Sequence, residues 1–235
     1  MIPYIGSKST LSDFITPHIP KDILIYVEPF GGSMGIYFSL NLKEYPDTRF
    51  IYNDMNPLNC NLFEQLKKEK FIKKVISTKV DNDFYQNCFQ SLTSKSKEIK
   101  ALSWLVILSC GDKKDLMSKT WRGNLSFEQL KYKLPKYTEY FNRLEIENLD
   151  YKKVFEKYDS ETSFFYCDPP YKGYEDYYIN IDWSEDSHIE LRDKLFNLSA
   201  KWVLSYYNFE EMEDWYKDYS IISKSNNLGI EYLIY

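Results

Sequence analysis

Residues 163–171 have the sequence SFFYCDPPY, a run of apolar and aromatic residues that stops at an acid, two prolines and a tyrosine. The run at 164–167 is typical of a short buried strand. Pro169 and Pro170 cannot donate to a sheet ladder, so the strand must end near Asp168. Open α/β sheets bind their ligands at the carboxyl ends of their strands. The stretch therefore predicts an α/β fold with a ligand site at Asp168.

The same residues place two acceptors beside an aromatic face. The Asp168 carboxylate and the Pro169 carbonyl are available to donors outside the sheet, and Tyr171 supplies a ring. A planar ring with an exocyclic amine fits this cluster, because it offers two N–H groups and a face for stacking. A strand followed by a simple Pro-Pro turn is the structural alternative, and these four residues alone leave it open.

Composition indicates a soluble globular protein. Its 235 residues are 43% hydrophobic and 28% charged, which suits one substantial core or one domain carrying an insertion. No apolar run approaches the roughly 18 residues of a membrane span. The first residues, MIPYIGSKSTL, lack the apolar core of a signal peptide. We therefore expect an intracellular protein with no membrane partner.

The sulfur and imidazole groups do not indicate a metal site. The four cysteines are widely spaced without a C-x-x-C pair, and there are two histidines. Reduced thiols are expected, and neither zinc nor a Cys/His catalytic pair is indicated.

Charge is unevenly distributed along the chain. The net charge is −5, yet residues 65–143 contain 17 Lys or Arg against 8 Asp or Glu. A basic central segment between acidic flanking segments is typical of a protein in which one part binds phosphate groups. A lysine-rich solvated helical face is the alternative, and it remains open.

A glycine-rich turn follows the first strand signal, at residues 23–27. The turn reads EPFGGSMG over 28–35 and leads into an apolar segment, 36–42, for which we expect a helix. Glycines there allow a ligand to approach the backbone, and the first helical N–H groups point at it. Such a turn is weak evidence by itself.

An acid follows the second strand signal, residues 49–52. Asp54 lies 22 residues after Gly32. A carboxylate at about this distance, at the end of the next parallel strand, commonly binds ribose hydroxyls. Capping of the next helix is the alternative role of Asp54, and the preceding glycine turn makes us prefer the ribose.

Residues 67–143 change to helical segments separated by polar loops. The loop at 110–124 concentrates side chains that can bond phosphates and base edges. An exposed connection with Trp121 filling the core is the alternative. The candidate DNA-binding residues are Lys113, Lys114, Lys119, Trp121, Arg122 and Asn124.

The remaining segments resume a parallel-sheet pattern. A strand at 144–150 closes on Asp150, and a loop after Tyr171 carries three tyrosines that are expected to close over a ligand. Further expected elements are helices at 151–158, 184–196 and 209–216, a strand at 201–206 and an antiparallel pair at 221–224 and 230–235.

The order of these motifs resembles the Dam-like DNA adenine-N6 methyltransferases. It runs from a Tyr4-x-Gly-x-Lys8 loop through Glu-Pro-Phe-Gly-Gly, Asp54, a basic insert and Asn-x-Asp150-Tyr151 to Asp168-Pro-Pro-Tyr171. Glutamine-modifying methyltransferases carry Asn-Pro-Pro-Tyr much closer to the glycine motif, whereas Gly32 and Asp168 lie 136 residues apart here. The resemblance covers nearly the whole chain and is weakest between 67 and 143.

The resemblance implies a Rossmann-like S-adenosylmethionine-dependent methyltransferase fold with a seven-stranded mixed sheet. It implies a catalytic domain split between 1–66 and 144–235 and a helical target-recognition insertion at 67–143. The implied activity is site-specific methyl transfer to N6 of a flipped-out adenine in double-stranded DNA, by a monomer of a restriction-modification type. An RNA adenine methyltransferase and an inactive nucleic-acid-binding subunit remain the alternatives.

The resemblance also assigns roles to residues. Asp54 would hold the ribose, Asp150 and Tyr151 the adenine of the cofactor, and Phe30 and Gly32 its methionine part. Met34 stands where relatives often have a second glycine, and Pro3 where many have a basic DNA contact. The implied catalytic residues are Asp168, Pro169, Pro170 and Tyr171, and the implied cofactor-binding residues are Tyr4, Lys8, Glu28, Phe30, Gly32, Asp54, Asp150, Tyr151 and Asp168.

Overall fold

The computed structural model describes residues 8–112, 119–172, 183–226 and 229–235. The chain divides into two compact units. The first comprises Met1–Thr10, Gly32–Leu40 and Asn56–Asn148, and the second comprises Leu11–Gly31, Asn41–Met55 and Leu149–Tyr235.

One sheet of seven strands runs through the fold in the order β3-β2-β1-β4-β5-β7-β6. This confirms the predicted α/β class and mixed seven-stranded sheet. The strands are β1 Ile25–Glu28, β2 Arg49–Asn53, β3 Leu144–Glu147, β4 Ser163–Cys167, β5 Lys201–Tyr207, β6 Ile221–Asn226 and β7 Gly229–Ile234.

The second unit contains the parallel strands that matter for the site. Val27 of β1 pairs with Ile51 of β2 on one side and with Phe165 of β4 on the other, and β4 pairs with β5 in parallel. All five residues of β4 are buried, as expected for a strand covered on both faces. The carboxyl ends of β2, β1 and β4 therefore lie side by side at one edge of the sheet.

The terminal hairpin completes the sheet. Strand β7 lies between β5 and β6 and is antiparallel to both. Its residue Glu231 is opposite Tyr207 of β5 and Lys224 of β6. The antiparallel pair predicted from the sequence is confirmed in these strands.

Helices cover the sheet and build the first unit. α5 is buried almost along its whole length, and the indole Nε1 of Trp104 within it donates to Asn59 Oδ1 at 2.8 Å. The helices are α1 Ser12–Ile15, α2 Pro57–Leu66, α3 Glu69–Ser77, α4 Asn82–Ser91, α5 Lys97–Cys110, α6 Leu125–Lys133, α7 Thr138–Arg143, α8 Tyr151–Tyr158, α9 Glu185–Phe196 and α10 Met212–Trp215.

One predicted helix is wrong. Residues 36–42 form no α-helix but contribute to two 3-10 turns, Tyr37–Ser39 and Leu42–Glu44. Ile36 has a helical backbone, but Leu40 is extended with ψ 145°, so a helix cannot continue through this segment. The helices predicted at 151–158 and 184–196 agree with α8 and α9, and Ser184 and Ser187 form a capping box in α9. The helix predicted at 209–216 is shorter, since α10 comprises Met212–Trp215. No helix in the described ranges is long and apolar enough to cross a membrane.

Candidate active site at the carboxyl edge of the sheet

Three neighbouring parallel strands of the second unit end at acids. Glu28 is the last residue of β1, Asp54 directly follows β2, and Asp168 directly follows β4. Because these strands are adjacent and parallel, the three carboxyl groups lie at the same edge of the sheet. This is the edge where open α/β sheets bind ligands.

Asn53 fixes the turns around this edge. Its Nδ2 donates to the carbonyls of Pro29 at 2.8 Å and Leu149 at 3.0 Å, and its Oδ1 accepts from the Leu149 N–H at 2.8 Å. Its own carbonyl accepts from the Gly31 N–H at 2.7 Å. A Cβ on Gly31 would lie 2.9 Å from that carbonyl, so only glycine allows this approach. One feature of the sequence could have identified Asn53, because its amide side chain directly precedes the acid at the end of a strand.

The two acids of β1 and β2 accept hydrogen bonds from tyrosines of their own strands. The Tyr26 hydroxyl donates to Glu28 Oε1 at 2.7 Å, and the Tyr52 hydroxyl donates to Asp54 Oδ2 at 3.3 Å. Burial raises the pKa of Tyr26, and the Glu28 carboxylate raises it further, so this hydroxyl keeps its proton.

Asp54 is not the cap of α2. That role belongs to Asn56, whose Oδ1 accepts from the Leu58 N–H at 2.9 Å. The helix-capping role that the sequence left open for Asp54 therefore belongs to Asn56. The Asp54 carboxyl group lies at the carboxyl end of β2.

An aromatic cluster follows β1. The rings of Phe30, Tyr151 and Trp183 have centroids 5.2 to 5.5 Å apart. Among the described residues, the buried Tyr151 hydroxyl has no hydrogen-bond partner. Burial also raises the pKa of Tyr151, so the group remains a donor. A buried hydroxyl without a partner is destabilising by about 1–3 kcal/mol, which a ligand acceptor would recover.

Two neighbours complete this cluster. Asp150 caps α8, because its Oδ1 accepts from the Lys152 N–H at 2.8 Å. Trp183 donates its indole N–H to Nδ1 of the buried His188 at 3.2 Å. Sequence reasoning predicted a site at Asp150 and Tyr151 but missed Trp183, because nothing local distinguishes this tryptophan from a core residue.

The Asp168-Pro-Pro-Tyr171 turn is closely packed. The Tyr171 hydroxyl donates to Asp168 Oδ1 at 2.9 Å and also contacts Glu231. The Tyr171 ring stacks on Tyr206 with centroids 5.4 Å apart, and the edge of Tyr207 meets it at 4.7 Å. Pro169 and Pro170 are buried, whereas Asp168 is half-buried. The Tyr171 hydroxyl thus holds the Asp168 carboxyl group within the turn, and the sequence did not predict this contact.

The other predicted cofactor residues belong to the first unit or lie outside the described ranges. Lys8 begins a 3-10 helix, Lys8–Leu11, and is 8% exposed. Gly32 has a left-handed φ of 48°, which favours glycine. Tyr4 lies outside the described residues.

The predicted DNA-binding loop begins and ends in a short β-bridge of the first unit. The Asp112 N–H donates to the Thr120 carbonyl at 3.1 Å, and the Arg122 N–H donates to the Cys110 carbonyl at 2.9 Å. Lys113 and Lys114 lie outside the described residues. The half-buried Trp121 ring packs against Tyr85 at a centroid distance of 5.4 Å.

The other three candidates in this loop take different positions. The Lys119 ammonium lies 5.3 Å from the centroid of the Phe89 ring. Arg122 pairs with Asp112, and its side chain is 68% exposed. Asn124 uses its amide to bond the Val80 carbonyl at 3.1 Å. The exposed cations Lys119 and Arg122 are thus available to an anionic partner, while Trp121 and Asn124 also have structural contacts.

Comparison with known proteins shows the family of the chain. A family model described as D12 class N6 adenine-specific DNA methyltransferase matches residues 4–230. A relative named Type II methyltransferase M.MjaIII, from Methanocaldococcus jannaschii, is 26% identical in an alignment covering 94% of this chain and 88% of the relative.

Proposed function

The chain belongs to the D12 class of N6 adenine-specific DNA methyltransferases, and from this premise we propose that it methylates a specific site in double-stranded DNA. The methyl group comes from S-adenosylmethionine, and the acceptor is N6 of a flipped-out adenine. The observation that carries the proposal is the position of Asp168, directly after β4 at the edge where β1 and β2 also end in acids.

The residues at this edge suit S-adenosylmethionine, which supplies an electrophilic methyl group on a sulfonium sulfur. Phe30, Tyr151 and Trp183 offer aromatic surface for a purine, and the Tyr151 hydroxyl offers a donor to a ring nitrogen. Asp54 accepts the ribose hydroxyls in this proposal. Asp150 contributes beside the purine, Glu28 lines the same edge, Phe30 and Gly32 border the methionine part, and Tyr4 and Lys8 help to bind the cofactor.

Catalysis in this proposal is mainly positioning. Adenine N6 is a poor nucleophile because its lone pair is delocalised into the ring. The Asp168 carboxylate and the Pro169 carbonyl each accept one N–H, so the nitrogen becomes pyramidal and its lone pair points at the methyl carbon. S-adenosylmethionine, held by the cofactor-binding residues, would supply the methyl group and would leave as the thioether S-adenosylhomocysteine. In this proposal Asp168 accepts the proton that N6 loses.

The adenine must leave the duplex to reach Asp168. Unstacking costs a few kcal/mol, and stacking on an aromatic ring returns about 1–3 kcal/mol per base. In this proposal the base stacks at Tyr171, whose ring in the free protein is 5% exposed and packs against Tyr206 and Tyr207. The basic insertion, with Lys119 and Arg122 exposed, contacts the phosphates.

Transfer of a tritiated methyl group tests the proposal. Wild-type protein should label duplex DNA in preference to single-stranded DNA and RNA. Asp168→Ala should abolish labelling while thermal unfolding remains near wild type. Asp47→Ala is the matched control, because this acid is exposed and precedes β2 at the opposite end of the strand.

Three results would contradict the proposal. Near-wild-type turnover of Asp168→Ala would remove the acid from the chemistry. Preferential labelling of RNA would favour an RNA methyltransferase. Cofactor binding without transfer to any nucleic acid would favour an inactive binding subunit. The name of the relative supports a role in restriction-modification, which sequencing for N6-methyladenine in DNA from expressing cells would test.

A further inference from the structure

Lys172 directly follows the proposed catalytic turn, and two acids bind its side chain. Its Nζ lies 2.7 Å from Glu185 Oε1 and 2.8 Å from Glu211 Oε2. Glu185 begins α9 and Glu211 directly precedes α10, so one ammonium joins two elements to the end of the turn. The Lys172 side chain is 18% exposed, compared with 70% for the lysine of the Lys21–Glu44 pair.

Two aromatic rings lie beside the same ammonium. It is 5.3 Å from the centroid of the Phe209 ring and 5.0 Å from that of the Trp215 ring. Both distances fall within the roughly 6 Å over which a ring face attracts a cation. An isolated exposed ion pair contributes little, whereas a network of charges and rings holds a side chain in one place. We call Lys172, Glu185, Phe209, Glu211 and Trp215 the Lys172 cluster.

The preceding residue, Tyr171, is held by the same part of the chain. The Tyr171 ring stacks on Tyr206 with centroids 5.4 Å apart, and Tyr206 packs against Phe209 at 5.3 Å. Residues 206–215 therefore bind two consecutive residues, Tyr171 through its ring and Lys172 through its ammonium. Attachment at two consecutive residues restricts the backbone of the turn more than a ring contact alone.

The pKa shifts agree with an ionised cluster. Burial lowers the pKa of Lys172, but its hydrogen bonds to Glu185 and Glu211 outweigh burial and raise the pKa overall. The hydrogen bond from Lys172 in turn holds the pKa of Glu211 below its usual value. The Lys172–Glu211 pair therefore remains ionised at neutral pH, and an uncharged side chain at 172 would leave two acids without their shared cation.

We propose that Lys172 is a positioning residue for methyl transfer, which fixes the end of the Asp168–Tyr171 turn against α9 and α10. The Tyr171 hydroxyl donates to Asp168 Oδ1 at 2.9 Å, so a displacement at Lys172 reaches the acid through one residue. Misplacing a reacting group by about 1 Å can lower a rate about 100-fold. This inference rests on the proposed function, because it concerns the turn that receives the adenine amino group.

Single-turnover transfer of a tritiated methyl group, with protein in excess over duplex DNA, tests the positioning role. Lys172→Met removes the charge and should lower the transfer rate constant at least about tenfold. The Kd for S-adenosylmethionine and for DNA should stay within about twofold, because the loss lies in the transition state. Lys172→Arg should keep the rate constant within about threefold, since a guanidinium also binds carboxylates and packs over aromatic rings.

Variants of the two acids test the cluster with the lysine in place. Glu185→Gln and Glu211→Gln should each lower the rate constant less than the double variant, which should match Lys172→Met. Adding the double substitution to Lys172→Met should cause no further loss. Lys21→Met is the matched control, because it removes an exposed lysine–glutamate pair that precedes β1, and it should keep the wild-type rate constant.

Acetylation of lysine amines, read by mass spectrometry, tests the cluster without turnover. In wild-type protein Lys172 should react at least about fourfold more slowly than Lys21, the ratio of 70% to 18% exposure. The double variant Glu185→Gln/Glu211→Gln should remove most of this difference.

Three results would overturn the inference. These are a full rate constant in Lys172→Met, a loss in Lys172→Arg as large as that in Lys172→Met, and acetylation of Lys172 as fast as that of Lys21. If Lys172→Met fails to fold, the double variant of the acids decides the same question. Absence of methyl transfer by the wild-type protein would contradict the proposed function, whereas wild-type transfer that Lys172→Met leaves unchanged would overturn this inference alone.

Discussion

Substituting Tyr151 with Phe should move stability and cofactor affinity in opposite directions. The Tyr151 hydroxyl is buried and has no hydrogen-bond partner among the described residues. Its desolvation is therefore uncompensated in the free protein and destabilises it by about 1–3 kcal/mol. Tyr151→Phe removes that oxygen and keeps the ring contacts with Phe30 and Trp183.

The size of both effects follows from this geometry. Relief of about 1 kcal/mol should raise the melting temperature of the free variant by about 2–4 °C for a chain of this size. Under the proposed function, the variant also loses a hydrogen-bond donor to S-adenosylmethionine. A lost hydrogen bond of about 1 kcal/mol weakens binding roughly fivefold, since 1.4 kcal/mol corresponds to tenfold.

Thermal unfolding with and without S-adenosylmethionine, together with calorimetric titration, measures the two effects. Tyr37→Phe is the matched control, because the Tyr37 hydroxyl is already bonded to the Tyr140 carbonyl at 2.9 Å. That variant should lose stability and keep cofactor affinity. A Tyr151→Phe protein that melts below wild type, or binds the cofactor as tightly, would refute the reasoning.

Three further substitutions test other parts of the site. Asn53→Ala should lower the free energy of unfolding by roughly 2–4 kcal/mol in denaturant titrations, because it leaves two buried carbonyls and one N–H without their partner; a loss below about 0.5 kcal/mol, typical of surface sites, would contradict this. Asp54→Ala should raise the cofactor Kd about tenfold, as expected from losing hydrogen bonds to a charged group, and should also lower the melting temperature, because the buried Tyr52 hydroxyl loses its acceptor; an unchanged Kd would remove the ribose role. Charge reversal at Lys113, Lys114 and Arg122 should weaken DNA binding and flatten its dependence on salt; unchanged affinity and slope would remove the loop from the interface.

Local sequence patterns predicted the elements that place the site. The apolar run before Asp168 and the two prolines after it fixed the end of β4, because proline cannot continue a sheet ladder. Glu28 and Asp54 were predictable as strand-end acids because each comes at the end of an apolar run typical of a buried strand. The helix predicted at 184–196 agrees with α9, which a local capping box begins.

The missed features depend on contacts between distant segments. Asn53 bonds Leu149, 96 residues away, and Tyr171 contacts Glu231, 60 residues away. No pattern within a short window carries such partners. The predicted helix at 36–42 failed for a different reason, because apolar residues there suit a helix while the backbone becomes extended at Leu40.

The position of β7 has a consequence for protein synthesis. This strand comes after the other six strands that the structure describes, yet it lies between β5 and β6. A translation product cut short before residue 229 lacks both the Glu231 carboxyl and the partner that covers β5. Such a fragment leaves an unpaired sheet edge, which promotes aggregation.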